Sequence, residues 1–359
     1  MTPVTPTVKE TEQTPLLEKK DEQLCENKLQ ENGQERQKVS LVMIIVAFIT
    51  SSIGGATTTL PYTVLQTGVY GWPLVALTTA VIMTGTLYLL AISTQHYLEK
   101  TKKRKFVRDP YASVVEMVYG KTGRYFSTAV YTANSLLLGV SGTLMCAEFL
   151  KSLHQIEHVK DVNEIRLWSF VVTLLTIIIS SLGYIKENEV TITVSFISSI
   201  VGLSLLLIVC SILYFKSSFE KSPPIPPVSL DGVVTAIGNL ISNLCGPGLI
   251  ITNIIVEAQE PEKIGLALTV SYSVILCLFA LSAYIPYFIF TGSVQPIILG
   301  TLTHYTTSLS TVSVLDYIAT AVLSIHIVLA CAILLNPMFQ HVENALNVKV
   351  GKCYLFIMR

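Results

Sequence analysis

Charge is scarce in this chain. Only 13% of its 359 residues are Asp, Glu, Lys or Arg, about half the share of an ordinary soluble domain. Hydrophobic residues make up 51%, and the mean hydropathy is +0.59. This balance excludes a water-soluble globular protein and predicts an all-α polytopic membrane protein. Histidine is also scarce: the six residues form no His-Glu-x-x-His motif. A membrane enzyme would need a clustered nucleophile or metal set, so neither catalysis nor a metal or cofactor is expected.

Cysteine is lacking from every stretch placed on the external side of the membrane. Cys146, Cys210, Cys245, Cys277 and Cys331 fall in apolar segments, with Cys25 and Cys353 in the two tails. No extracytoplasmic disulfide is expected. The external connections carry no Asn-x-Ser/Thr acceptor, so glycosylation gives no clue to sidedness. Residues 1–38 lack Phe, Tyr, Trp and Ile altogether. Such a segment buries too little surface to offset its ordering entropy, which predicts a disordered cytoplasmic tail and no cleavable signal peptide. Within it, Glu12, Leu16 and Leu17 match an acidic dileucine sorting signal of the kind read by clathrin adaptors. The alternative is an incidental leucine pair.

From residue 39 onward, eight spanning segments are expected, at about 39–69, 71–96, 124–150, 166–184, 190–214, 232–256, 265–290 and 313–336. Most reach the roughly 20 residues that cross the hydrocarbon core. Basic residues orient them. With both termini in the cytoplasm, 19 of the 24 Lys and Arg lie inside. The five outside are Lys151, Lys160, Arg166, Lys216 and Lys221. Eight of the inside set fall in residues 100–124, as the positive-inside rule requires. The run Lys102-Lys103-Arg104-Lys105 reads as a topology determinant, with lipid headgroup contact as the alternative. Asp109 and Pro110 then open a short interfacial helix with Val114, Val115 and Val118 on one face, ended by Gly120 and Gly123. Ser222-Pro223-Pro224-Ile225-Pro226-Pro227 forms a stiff external spacer.

Two of the apolar segments are interrupted. The first contains Gly54, Gly55 and Pro61, and the sixth contains Cys245-Gly246-Pro247-Gly248. Glycine weakens a helix, and proline removes a donor and clashes with the preceding turn. Backbone groups freed at membrane depth need protein or a water-filled cavity around them. A pair of interrupted helices in corresponding halves marks a transporter's substrate site. A receptor is the competing class; the two interruptions, the even span count and the lack of an external cysteine pair argue against it.

The residues now assembled resemble the amino acid/auxin permease family of the amino acid–polyamine–organocation superfamily. The likeness runs from about residue 40 to 346. It rests on Gly54-Gly55 with Leu60-Pro61-Tyr62, Gly68 and Gly71-Trp72-Pro73, and on Tyr111, Glu116 and Gly120-Lys121-Thr122-Gly123-Arg124. It continues with Gly246-Pro247-Gly248, Ile254, Glu257 and Glu260-Pro261-Glu262-Lys263, then Asn336-Pro337 and Glu343. The resemblance implies a leucine-transporter-like inverted repeat with helices 1 and 6 broken. Helices 1–5 (residues 39–214) would form the first repeat. An external linker (215–231) would lead to a partial second repeat of helices 6–8 (232–336) and a short tail (337–359). Family members usually continue through about three more spans, so the chain looks truncated. A non-transporting isoform or gene-model fragment that regulates full-length transporters is the second expectation.

The resemblance also implies secondary active transport of an amino acid, coupled to protons or sodium, in a plasma or lysosomal/endosomal membrane. In helix 1 the freed amides around Ile53, Gly54, Gly55, Ala56 and Thr57 suit a substrate carboxylate. In helix 6, Asn243 with Gly246 and Gly248 would supply groups near the substrate amine, and Cys245 a small wall. For both patches the alternative is close helix packing. Intramembrane ionisable residues are functional by default, which singles out His326, whose imidazole exchanges a proton near neutrality, and Glu148. Packing or solvation at a helix end are their alternatives. Sodium-coupled relatives place a hydroxyl on helix 8 near Val328, Leu329, Ala330 and Cys331. None stands there, which favours protons over sodium.

Overall fold

A computed structural model of the chain describes residues 38–53, 55–101, 110–153, 162–180, 189–216, 227–306 and 310–345. The chain divides into two units, Met1–Lys38 and Val39–Arg359. The long elements of the second unit are all α-helical: α1 Leu41–Ser52, α2 Leu60–Thr67, α3 Gly71–Thr101, α4 Pro110–Leu153, α5 Val162–Ser180 and α6 Glu189–Lys216. Then come α7 Leu230–Leu244, α8 Gly246–Glu257, α9 Ile264–Phe290, α10 Ile298–Thr306 and α11 Ser310–Ala345. Among the described residues the one extended pairing is a parallel bridge between Val39 and Ala258.

Six stretches are long and apolar enough to cross a membrane: Gly71–Thr101, Pro110–Lys151, Glu189–Phe215, Leu230–Glu257, Pro261–Ser293 and Val312–Phe339. The pair Leu41–Ser52 and Thr57–Thr67, bent by 47°, makes a seventh if it is one span. Seven of the eight expected segments are accounted for in this way among the described residues. The fourth expected segment, 166–184, falls on α5, whose apolar stretch Ile165–Ser180 is shorter. Residues 181–188 lie outside the described set. Burial sorts the helices by depth. The apolar window of α3 is only 28% buried and that of α11 is 61% buried. Leu74, Leu89, Phe170 and Val190 stand largely exposed. So much apolar surface is stable only against lipid, and the chain is an integral multi-pass membrane protein. α11 packs chiefly against α6 and α4 and lies innermost.

Local chemistry sets the helix ends. The Ser40 hydroxyl accepts from the Met43 amide at 3.3 Å, and Ser229 caps α7 by accepting from Gly232 at 3.0 Å. Such caps are worth about 1 kcal/mol. Gly68 ends α2 with φ 78°, a left-handed conformation open to glycine. Trp72 then donates to the Thr63 hydroxyl at 2.8 Å, and Tyr284 of α9 donates to the Val69 carbonyl at 2.8 Å.

Inside α4, Gly120 sits at φ 66°, ψ −166° and kinks the helix where an interfacial segment was expected to stop. Arg124 and Glu116 pair at 2.6 Å across it. The buried side of the segment carries Ala112 and Val114, whereas Val118 is exposed. The basic run at 102–105, Asp109 and the proline spacer at 222–226 lie outside the described residues.

Candidate functional site

The first interruption begins where α1 ends. Ile53 has φ −80°, ψ 26° and donates its N–H to the Ile49 carbonyl at 3.0 Å. A 3₁₀ turn, Gly55–Thr59, follows before α2. Ile53, Gly55 and Thr57 are buried, and Ala56 lies in the same turn. Gly54 lies outside the described residues, as do Glu12, Leu16 and Leu17.

The second interruption is narrower. Cys245 alone separates α7 from α8, and it keeps helical dihedrals of φ −81°, ψ −14°. Pro247 has no N–H for the Asn243 carbonyl four residues earlier. The Gly248 amide turns to the Cys245 carbonyl at 2.9 Å, away from Leu244. The released Leu244 carbonyl is taken instead by the Tyr272 hydroxyl of α9 at 2.6 Å. Tyr131 of α4 donates similarly to the Leu249 carbonyl. The Cys245 thiol donates to the Ser242 carbonyl at 3.1 Å.

The two interruptions meet through a glycine. A Cβ built on Gly246 would overlap the Ser51 carbonyl oxygen. A Cβ on Gly55 would overlap Met145 Sδ and stand 2.7 Å from Ile327 Cδ1. Gly248 is looser, its nearest contact being Leu87 at 3.3 Å.

Asn243 is 4% exposed, and neither its amide nitrogen nor its amide oxygen has a hydrogen-bond partner among the described residues. The hydroxyls of Thr50 and Ser52, on the last turn of α1, are likewise buried without one. An unsatisfied buried polar group costs about 1–3 kcal/mol. These three side chains, beside two helix interruptions, are suited to a polar ligand.

His326 is fully buried on α11. Its Nε2 faces the Ile53 carbonyl at 3.1 Å, and its Nδ1 faces the Ser195 carbonyl at 2.8 Å and the Ser195 hydroxyl at 3.0 Å. The structure therefore joins His326 to the helix 1 interruption. Glu148 is exposed. The fold also supplies partners that sequence reasoning did not name: Thr50, Ser52, Tyr131, Ser195 and Tyr272. Thr50 carried a signal, as a polar residue in an apolar run. The two tyrosines carried none, because their partners are carbonyls on distant helices. His154 and His158 stand four residues apart in the sequence, a metal-ligand spacing, and lie outside the described residues.

A helical multi-pass membrane protein with interrupted apolar segments and orphaned polar groups between them has the build of a solute carrier. Over residues 37–356 the chain matches the family described as transmembrane amino acid transporter protein, and it belongs to that family. Members of the family are transporters, and the chain's class is amino acid transmembrane transport. No curated protein sequence matches the chain.

Proposed function

We propose that the chain moves an amino acid by proton-coupled secondary active transport, binding its substrate between the interruptions of helices 1 and 6. The observation that carries this reading is the Asn243 amide, buried with both polar atoms unpartnered among the described residues. An α-amino acid offers a carboxylate and an ammonium group, which together complement an amide donor and acceptor. Gly54, Gly55, Ala56 and Thr57 offer the carboxylate their backbone amides, and Ile53, whose own N–H is spent on Ile49, frames that end of the site. Cys245, Gly246 and Gly248 line the side opposite, where the missing Cβ of Gly246 lets helix 6 approach Ser51. The repeat reading (39–214 and 232–336) of a leucine-transporter-like fold belongs to this proposal. So do cytoplasmic termini and a clathrin-adaptor signal at Glu12, Leu16 and Leu17. Proton coupling draws support from His326 and from the lack of a hydroxyl at Val328, Leu329, Ala330 and Cys331. Glu148, exposed as it is, is the weaker coupling candidate.

Asn243→Leu tests the site. The two side chains branch alike at Cγ with the same number of heavy atoms, and removing both unpaired atoms relieves their desolvation cost. The variant should keep or raise its thermal unfolding temperature in detergent while losing at least tenfold in uptake. Full uptake in a folded Asn243→Leu protein would remove Asn243 from the site.

A further inference from the structure

Every donor around His326 has an acceptor in each of two protonation states, and the switch between them involves one hydroxyl. The Ser195 carbonyl at Nδ1 is served by the ring only in the charged state. The ring faces a carbonyl at each nitrogen: Ser195 at Nδ1 (2.8 Å) and Ile53 at Nε2 (3.1 Å). The Ser195 hydroxyl lies 3.0 Å from Nδ1 and 3.4 Å from the carbonyl oxygen of His326 itself. In the neutral ring, Nε2–H donates to Ile53, and the Ser195 hydroxyl donates into the Nδ1 lone pair. In the charged ring, both nitrogens donate, Nδ1–H to the Ser195 carbonyl and Nε2–H to Ile53. The Ser195 hydroxyl then turns to the His326 carbonyl. Neither state strands a donor.

We infer that His326 and Ser195 together form the binding site of the coupled proton, and that the Ile53 carbonyl carries its occupancy to the interruption in helix 1. This rests on the proton-coupled reading above and names its site. One proton adds to Nδ1 from water on one side of the membrane and leaves to water on the other. The hydroxyl proton of Ser195 only rotates, so no bond is made or broken apart from N–H. A bond from imidazolium is about twice as strong as one from neutral imidazole. Loading the site therefore tightens the hold of α11 on Ile53, at the end of α1, and unloading loosens it.

No charged partner of the ring is present among the described residues; its contacts there are Ser195 and Ile53. The titratable groups in the surrounding packing are the buried thiols of Cys146 on α4, which donates to Ser324, and of Cys331 on α11. Asp316 lies on the same helix but ten residues away, about 15 Å along the axis. Glu189 on α6 is six residues before Ser195, about 9 Å along. Glu148 on α4 and Arg166 on α5 are exposed, and Glu116 is paired with Arg124. The described part of α1 carries no titratable side chain, and Glu257 of α8 stands at that helix's far end.

The test is uptake by the full chain in proteoliposomes as a function of pH and of an imposed proton gradient. A labelled amino-acid mixture serves as the probe. Ser195→Ala removes the donor of the neutral state, so half-maximal uptake should move to higher pH by about one unit, a tenfold change in proton affinity. Ser195→Thr keeps the hydroxyl and should bring the profile back. His326→Gln should leave uptake insensitive to the gradient. If His326→Gln fails to fold, the Ser195 pair decides alone. An unmoved profile in Ser195→Ala, or a His326→Gln protein still driven by protons, overturns this inference and leaves the transport reading standing. Wild-type uptake that ignores the gradient overturns proton coupling and this site with it, while the substrate site stands.

Discussion

Gly246 and Gly55 both sit in tight places, but what surrounds them differs. A methyl group on Gly246 would meet backbone, the Ser51 carbonyl, which cannot yield without moving α1. On Gly55 it would meet the ends of Met145 and Ile327, and an unbranched thioether adapts readily. Gly55→Ala should therefore destabilise by about 1–3 kcal/mol, the usual range for overpacking. Gly246→Ala should exceed that range, above about 3 kcal/mol. Thermal unfolding of the two variants in detergent gives the comparison, and equal losses would show that α1 and α8 do not meet through Gly246. The same contrast explains what sequence alone conveys about a site. The glycines and Asn243 are visible as residue types out of place in apolar segments. That Gly246 abuts Ser51, or that Ser195 faces His326 across 131 residues of chain, depends on packing that no local pattern encodes.

At the scale of elements, the two interrupted segments are tied together at one end by backbone alone. The Val39 amide donates to the Glu257 carbonyl at 2.8 Å, and the Gln259 amide donates to the Val39 carbonyl at 3.0 Å. The start of helix 1 is thereby held to the end of helix 6. Paired strands lie about 4.8 Å apart, within the range of about 4.4–6.8 Å that a disulfide spans. Val39→Cys combined with Ala258→Cys should crosslink on oxidation and arrest uptake, and reductant should restore it. A crosslinked protein that transports at the full rate would mean these ends never part. Helix positions were largely legible beforehand. The expected 265–290 and 190–214 match Ile264–Phe290 and Glu189–Lys216, because long apolar runs bounded by polar residues leave little choice. Less was legible where tertiary contacts decide. The break at Cys245 proved to be one residue in helical dihedrals, since Tyr272 satisfies the freed Leu244 carbonyl and the chain need not unwind further. The short helix Ile298–Thr306 lies in what read as a connection.

For the whole molecule, composition and fold agree. Helices with exposed apolar faces surround a buried α11, and three of the polar side chains left unpartnered inside, Thr50, Ser52 and Asn243, stand beside helix interruptions. The chain belongs to the transmembrane amino acid transporter family, and on the proposed reading these costly groups are kept because transport needs a polar site in an apolar setting. The most direct test is uptake of a labelled amino-acid mixture into proteoliposomes holding the purified chain, with and without an inward proton gradient. The account predicts uptake well above protein-free vesicles, stimulated by the gradient and lost in Asn243→Leu. Uptake at the level of protein-free vesicles, from protein shown to be folded, would contradict it.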